Sequence, residues 1–326
     1  MNKNKYLQYF LLLGLLHSAP TLTQGWVPTK NVEIIVSSVP GGSNDNSGRQ
    51  IEKALTELKI VPTSTSIVGK PGGGGNIAMA YTNQHVGDGH YLMVATSSIS
   101  SNHIIGASKF TYHDFTPITS LVNDYVVFAV KADSPLKTGK DLMAQFKSKP
   151  QAIAMGFANT FGGSRHIAAG LLIKAVGGNP RDLKTVVFKG SAEAISALLG
   201  AHLEMVIIGA GNAVAHVQSG RMRVFAVTAP QRLTGALSFV PTWRELGADV
   251  VSGSWRGIMG PKDMPAAQLA YWENALRLVS QNAGWKTDIE RNYWSEYFAI
   301  GAQFRKELEK DYTDTKKVLL DLGLAR

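Results

Sequence analysis

Cysteine is absent from this 326-residue chain. That excludes a disulfide framework, thiolate metal sites, iron–sulfur clusters, a thiol nucleophile and a lipid-modified N-terminal cysteine. Charge is sparse as well. Asp, Glu, Lys and Arg make up 17% of the residues and hydrophobic types 44%, a folded rather than disordered composition. Beyond the N-terminus no segment approaches the ~20 continuous apolar residues of a bilayer-spanning helix. Short repeats, low-complexity tracts and charge runs are missing too. What is left is enough chain for two domains at roughly 150 residues each. The 33 basic against 24 acidic side chains, formally +9, favour anionic partners without naming one. The basic residues are scattered rather than interleaved with aromatics, so no nucleic-acid surface is indicated.

Enzyme signatures are also lacking. No serine has glycine at both −2 and +2, and neither a P-loop nor His-Glu-x-x-His occurs. Gly73-Gly74-Gly75-Asn76-Ile77-Ala78 fits G-x-G-x-x-A, but a glycine run fits it trivially, and positions 95–99 (Ala-Thr-Ser-Ser-Ile) hold no acid for a ribose. None of the histidines has metal-ligand spacing with a carboxylate partner. The expectation is a protein without metal, cofactor or catalytic residues.

Lys3 and Lys5 precede the apolar run Tyr6 to Leu16, and Thr23-Gln24-Gly25 offers a cut before Trp26. This is the layout of a cleavable secretory signal peptide over residues 1–25; an uncleaved anchor is the alternative. From Trp26 onward, β-branched runs alternate with helix-period segments. Val32–Val36, Thr65–Val68 and Tyr91–Ala95 read as strands, and Ile51, Ala54, Leu55 and Leu58 mark a helix between the first two. A second round starts at Tyr125–Val130 and runs through strands near 152–156, 185–188, 204–208 and 224–227. The tail reads as mostly helical, with Pro265 opening one helix and Phe304–Leu322 forming another. The β–turn–α repetition predicts parallel sheets with helices on both faces, in two lobes.

Glycine-rich turns follow predicted strands at Pro40–Asp45, Pro71–Asn76 and Asn159–Ser164. Open parallel sheets bind ligands at that edge, where helix starts present free N–H groups suited to a carboxylate or phosphate. Ser43, Thr96, Ser97 and Ser164 would add hydroxyls. Ordinary helix starts read the same way one loop at a time; several together favour a site. His166 is open between packing locally and touching a ligand. Asp45 and Arg49, at i and i+4, read as a structural pair. Lys189 is open between facing a ligand and remaining solvated.

The ordered set of motifs resembles the periplasmic substrate-binding proteins of tripartite tricarboxylate transport systems, the Bug receptors. It comprises Pro40-Gly41-Gly42-Ser43-Asn44-Asp45 with Arg49, Pro71-Gly72-Gly73-Gly74-Gly75-Asn76-Ile77, Asp88-Gly89-His90-Tyr91-Leu92 and Asp114-Phe115-Thr116-Pro117. It continues through Ser164-Arg165-His166-Ile167-Ala168, Phe188-Lys189-Gly190-Ser191, Gly220-Arg221-Met222-Arg223, Val240-Pro241-Thr242 and Trp255-x-Gly257. The resemblance spans about residue 26 to the C-terminus. It implies an α/β, two-lobed periplasmic binding protein of type II (Venus-flytrap) form, with a ligand cleft between two α/β domains. Lobe 1 would hold 26–124 plus 229–326, and lobe 2 would hold 125–228. The implied function is a periplasmic receptor, not an enzyme, that closes on a small organic carboxylate and hands it to the transporter's membrane subunits, as a monomer. Signalling to a sensor partner and a periplasmic α/β enzyme are the alternatives. By match, the implied ligand residues are Ser43, Asn44, Asp45, Gly73, Gly75 and Asn76. Thr96 and Ser97, with Asn159, Thr160, Ser164 and His166 from the other lobe, would complete the cleft. Relatives often carry an aspartate where this chain has Val206-Ile207-Ile208-Gly209, leaving no evident partner for an ammonium group. A mono- or dicarboxylate without an amine is therefore expected.

Overall fold

A computed structural model describes residues 25–158 and 160–325. All of the expected signal segment except Gly25, and Asn159 of the expected site, lie outside the described residues. The first part of the chain forms β1 (Val32–Val36), α1 (Ser43–Glu57), β2 (Thr65–Gly69), α2 (Asn76–Thr82), β3 (Tyr91–Thr96) and α3 (Ser98–Ile104). It then enters β4 (Phe115–Lys131). Next come α4 (Gly139–Ser148), β5 (Ala154–Ala158), α5 (Ser164–Ala175), β6 (Lys184–Phe188), α6 (Ser191–Leu199), β7 (Met205–Gly209), α7 (Ala210–Gln218) and β8 (Met222–Val227). The last part is β9 (Gly253–Pro261), α8 (Ala266–Gln281), α9 (Ala283–Arg291), β10 (Ser295–Ile300) and α10 (Gly301–Asp321).

These elements follow from local pattern. In β1 the β-branched residues Val32, Ile34, Ile35 and Val36 are fully buried; α1 covers Val32, Ile34 and Val36 with Ile51, Ala54 and Leu55, and Ile35 packs on the other face with Ala78 and Met79. Thr138 and Asp141 close a capping box that starts α4. Two sheets result, joined by β4. The half of β4 up to Tyr125 pairs with β9 and β10, and the half from Val126 pairs with β7 and β8. Around it the first sheet runs β2-β1-β3-β9-β4 and the second continues β4-β7-β5-β6.

The expected parallel sheets are found only in part. The trios β2-β1-β3 and β6-β5-β7 are parallel, whereas β4, β8, β9 and β10 run antiparallel to their partners. The chain leaves the first sheet along β4 and returns beside it along β9, and a returning neighbour is antiparallel without a crossover helix. Sequence reading recognised only the second half of β4. Pro117, which lacks an N–H, sits in the first half, and the β9 register shifts between Pro117 and Thr119 and again between Ser120 and Val122. The tail also holds β10, an aromatic run that pairs with β4 where helix was expected.

Among the described residues, four apolar clusters form, two on each sheet. Leu233, Leu237, Val240, Trp243, Ala248 and Val250 belong to the clusters of the second sheet. Trp243, fully buried, meets Phe128 edge-on at 5.1 Å. The segment 229–252 thus packs on the second sheet, its apolar side chains covering β4, β7 and β8. Among the described residues no helix is long and apolar enough to cross a membrane.

Candidate functional site

Three helix starts of the turn motifs open on glycine. Gly42, Gly75 and Gly163 are the N-cap residues of α1, α2 and α5, and none provides a side-chain cap. At α1, Ser43 Oγ accepts from Arg256 at 2.7 Å and Asn44 Oδ1 accepts from the same guanidinium at 3.2 Å. Burial alone would raise the pKa of Asp45, but the Arg49 guanidinium at 2.9 Å and the Gly41 N–H outweigh that and hold it below the usual carboxylate range. It is the structural pair its spacing suggests.

The second turn is wound from left-handed glycines. Gly73, Gly74 and Gly75 have φ of 57°, 65° and 105°. A Cβ on Gly74 would lie 3.0 Å from Asn102 Nδ2 and 3.3 Å from Thr160 Cγ2, so this turn meets the Thr160 loop of the other lobe. Asn102 donates to the Gly74 carbonyl and Asn76 to that of Ala107. Asn76 Oδ1 remains buried without a partner, a free acceptor at the turn. Thr96 pairs with Ser98 at 2.8 Å, and Ser97 with Ser254 at 3.0 Å. His166 is held by Gly162, whose N–H donates to Nδ1 at 3.1 Å, and it stacks on Phe157. Burial pushes its pKa down to about 4, so it is neutral at pH 7 with its proton on Nε2. Lys189 is exposed.

Sequence reading missed the most unusual feature, a buried charge cluster at the junction of the lobes. Arg256 on β9 and Asp124 on β4 pair at 2.5 Å, with 4% and 5% of their surface exposed. The guanidinium also reaches Ser47 and lies 5.4 Å from the Trp294 ring centre. Arg165, in the first turn of α5, is 7% exposed, and its Nε has no hydrogen-bond partner. Asp124 lies against Gly209, where a Cβ would be 3.2 Å from its Oδ1. A carboxylate from the neighbouring strand thus stands beside the position where relatives were expected to carry an aspartate, and it is already bonded to Arg256. The available signal was an arginine inside the apolar run Trp255-Arg256-Gly257-Ile258-Met259, since a charge in a central strand needs a buried partner.

The sequence model of the tripartite tricarboxylate transporter family receptors matches residues 49–324. The chain belongs to this family. The receptor is 26% identical to protein BugT of Bordetella pertussis over 242 residues, 72% of each chain. It is also similar to a TctC solute-binding protein from Polaromonas, crystallised without ligand, at 26% identity and a TM-score of 0.71, covering 90% of this chain and 99% of that one. R. palustris Rpa4515 with adipate shares the two-lobed fold at a TM-score of 0.81 and 22% identity, covering 91% and 99%.

In the receptor, a cavity of about 270 Å³ opens between Ser97 and Trp255 of one lobe and Ser164 of the other, floored by Glu307, Asp311 and Asp314 of α10. Among the described residues no group of three His, Cys, Asp or Glu is placed to hold a metal ion. Burial pushes the Asp311 pKa up to about 6, despite the Ser100 hydroxyl that donates to it at 2.6 Å. A raised acid stabilises the fold fully below the unfolded value near 4, and that contribution is lost as pH rises through 6. Asp311→Asn is therefore expected to stabilise the receptor at pH 8 by about 3 kcal/mol and to leave it unchanged at pH 4. Melting both proteins across this range and taking the difference cancels the opposite pH dependence of His166. Equal stability at pH 8 would show that Asp311 ionises without penalty.

Proposed function

We propose that this protein is a periplasmic receptor that closes its lobes on a small organic carboxylate and delivers it to the membrane subunits of a tripartite tricarboxylate transporter. The lobes would be 26–124 plus 253–326 and 125–252, with the signal segment removed after export. Ser43, Asn44, Gly73, Gly75, Asn76, Thr96, Ser97, Asn159, Thr160, Ser164 and His166 are proposed to border the ligand, with Asp45 bracing the first turn. The observation that carries this reading is the set of glycine-opened helix starts at α1, α2 and α5, with the Gly74 turn meeting the Thr160 loop across the lobe junction, in a chain of this receptor family. Such starts hold anions through backbone N–H groups, and a cleft between hinged lobes couples binding to closure. Adipate in a protein of the same fold supports a carboxylate as the ligand. No catalysis is proposed.

Thermal unfolding of residues 26–326 against a panel of organic acids, amino acids and sugars tests it. A ligand at 100 times its Kd adds about 2.7 kcal/mol, a shift of several degrees. The expected result is a selective shift with carboxylates and recovery of the ligand chemically unaltered. A shift only with sugars, or an altered ligand, would overturn the reading.

A further inference from the structure

We infer that Arg165 is the anchor for the ligand's carboxylate, gripping it from the second lobe opposite the Arg256–Ser43–Asn44 array of the first. This rests on the carboxylate reading above and adds the residue that recognises the charge.

Arg165 and Arg256 share one nearby carboxylate, Asp124. Asp124 is spent on Arg256, which it meets at 2.5 Å. Asp124 favours the cationic form of Arg165 and Arg256 opposes it. Burial is the largest influence and lowers its pKa. A guanidinium out of water without a bonded anion costs several kcal/mol. A fold keeps such a group where something else supplies the anion. A single carboxylate neutralises the surplus charge and matches the planar donor fork of arginine with two parallel hydrogen bonds. The unpartnered Nε atoms of both Arg165 and Arg256 are donors waiting for an acceptor.

The two arginines come from opposite lobes, α5 and β9. Closing the lobes brings like charges together and desolvates them. An anion between them reverses the sign of that interaction, so the ligand's charge itself drives closure. The same arrangement selects against an ammonium group, since the one carboxylate in reach is occupied. The neighbouring cavity floored by Glu307, Asp311 and Asp314 has the wrong sign for an anion.

Isothermal titration of residues 26–326 with succinate, glutarate, adipate, malate and citrate, and with glutamate as the amine-bearing counterpart of glutarate, decides the matter. At least one acid is expected to bind, with glutamate weaker than glutarate. Arg165→Gln should weaken the best acid at least ~100-fold, and Arg165→Lys, which keeps the charge and loses the fork, about 10-fold. Unliganded Arg165→Gln should melt at the wild-type temperature or above, because an uncompensated charge has been removed; a purely structural arginine would lower it. Affinity of Arg165→Gln within about threefold of wild type overturns the anchor and leaves the carboxylate receptor standing. If Arg165→Gln does not fold, undiminished affinity in Arg165→Lys overturns it instead. A wild type that binds none of the acids overturns the carboxylate reading; a lowered melting temperature of Arg165→Gln then overturns the anchor as well, and an unchanged or raised one upholds it for another anion.

Discussion

Asp124→Ala is expected to destabilise the unliganded protein by about 3–5 kcal/mol, the cost of leaving a buried charge without its partner. The side chain that suffers is Arg256, 4% exposed and bonded to Asp124 at 2.5 Å. Its remaining contacts, Ser43, Asn44 and Ser47, are neutral hydroxyl and amide oxygens and cannot balance a full charge. Arg165 loses its nearby anion in the same step. The double variant Asp124→Leu with Arg256→Leu should recover most of the loss, because removing both charges removes the desolvation problem. Urea melts of the two single variants and the double complete the cycle. A loss below about 1 kcal/mol in Asp124→Ala would mean that water or a shifted residue compensates Arg256, and the buried pair would no longer explain the site.

Gly257→Ala is the second large effect, and it is steric. Gly257 lies in β9 between β3 and β4, opposite Ala95 on one side and Ser120 on the other. A Cβ there would lie 2.1 Å from the Thr119 carbonyl oxygen and 2.9 Å from Ser120 Cα. Both atoms are backbone, so no rotamer change relieves the clash. Thr119 is held in place by its hydroxyl, which donates to the Ala299 carbonyl of β10 at 3.0 Å. The register shifts of β4 on either side of this contact are what bring its backbone so near. A cost of about 4 kcal/mol or more is expected, a fall of roughly 8 °C or more in melting temperature. Gly190→Ala is the control: a Cβ there meets nothing within 4 Å, and its cost should stay within about 1 kcal/mol. Equal melting temperatures for the two variants would show that β4 and β9 can separate without loss.

Much of the candidate site is legible in the residues. Glycine starts at Gly42, Gly75 and Gly163 stand where the turn motifs place them, and Ser43, Asn44, Gly74 and Thr160 come to the junction between the lobes. Asp45 is the i, i+4 partner of Arg49, as its spacing says. What escaped reading are groups whose meaning depends on a distant neighbour. In the sequence Arg165 is only a member of the motif Ser164-Arg165-His166-Ile167-Ala168, and Arg256 is the unspecified residue of Trp255-x-Gly257; neither has a role at the site there. Asp124 looks like an ordinary polar residue ahead of an apolar strand.

The sequence by itself determined the alternation of strands and helices, the glycine turns, the absence of cysteine and the receptor family. Each of these rests on spacings of a few residues, where 3.6- and 2-residue periods and turn preferences act. Only the tertiary structure decided that β4 runs through both sheets, that 229–252 covers the second sheet, and that Asp124, Arg165 and Arg256 converge. Asp124 and Arg256 are 132 residues apart in the chain. Their meeting follows from strand order and register, which depend on how whole apolar faces pack, and no local pattern carries that information.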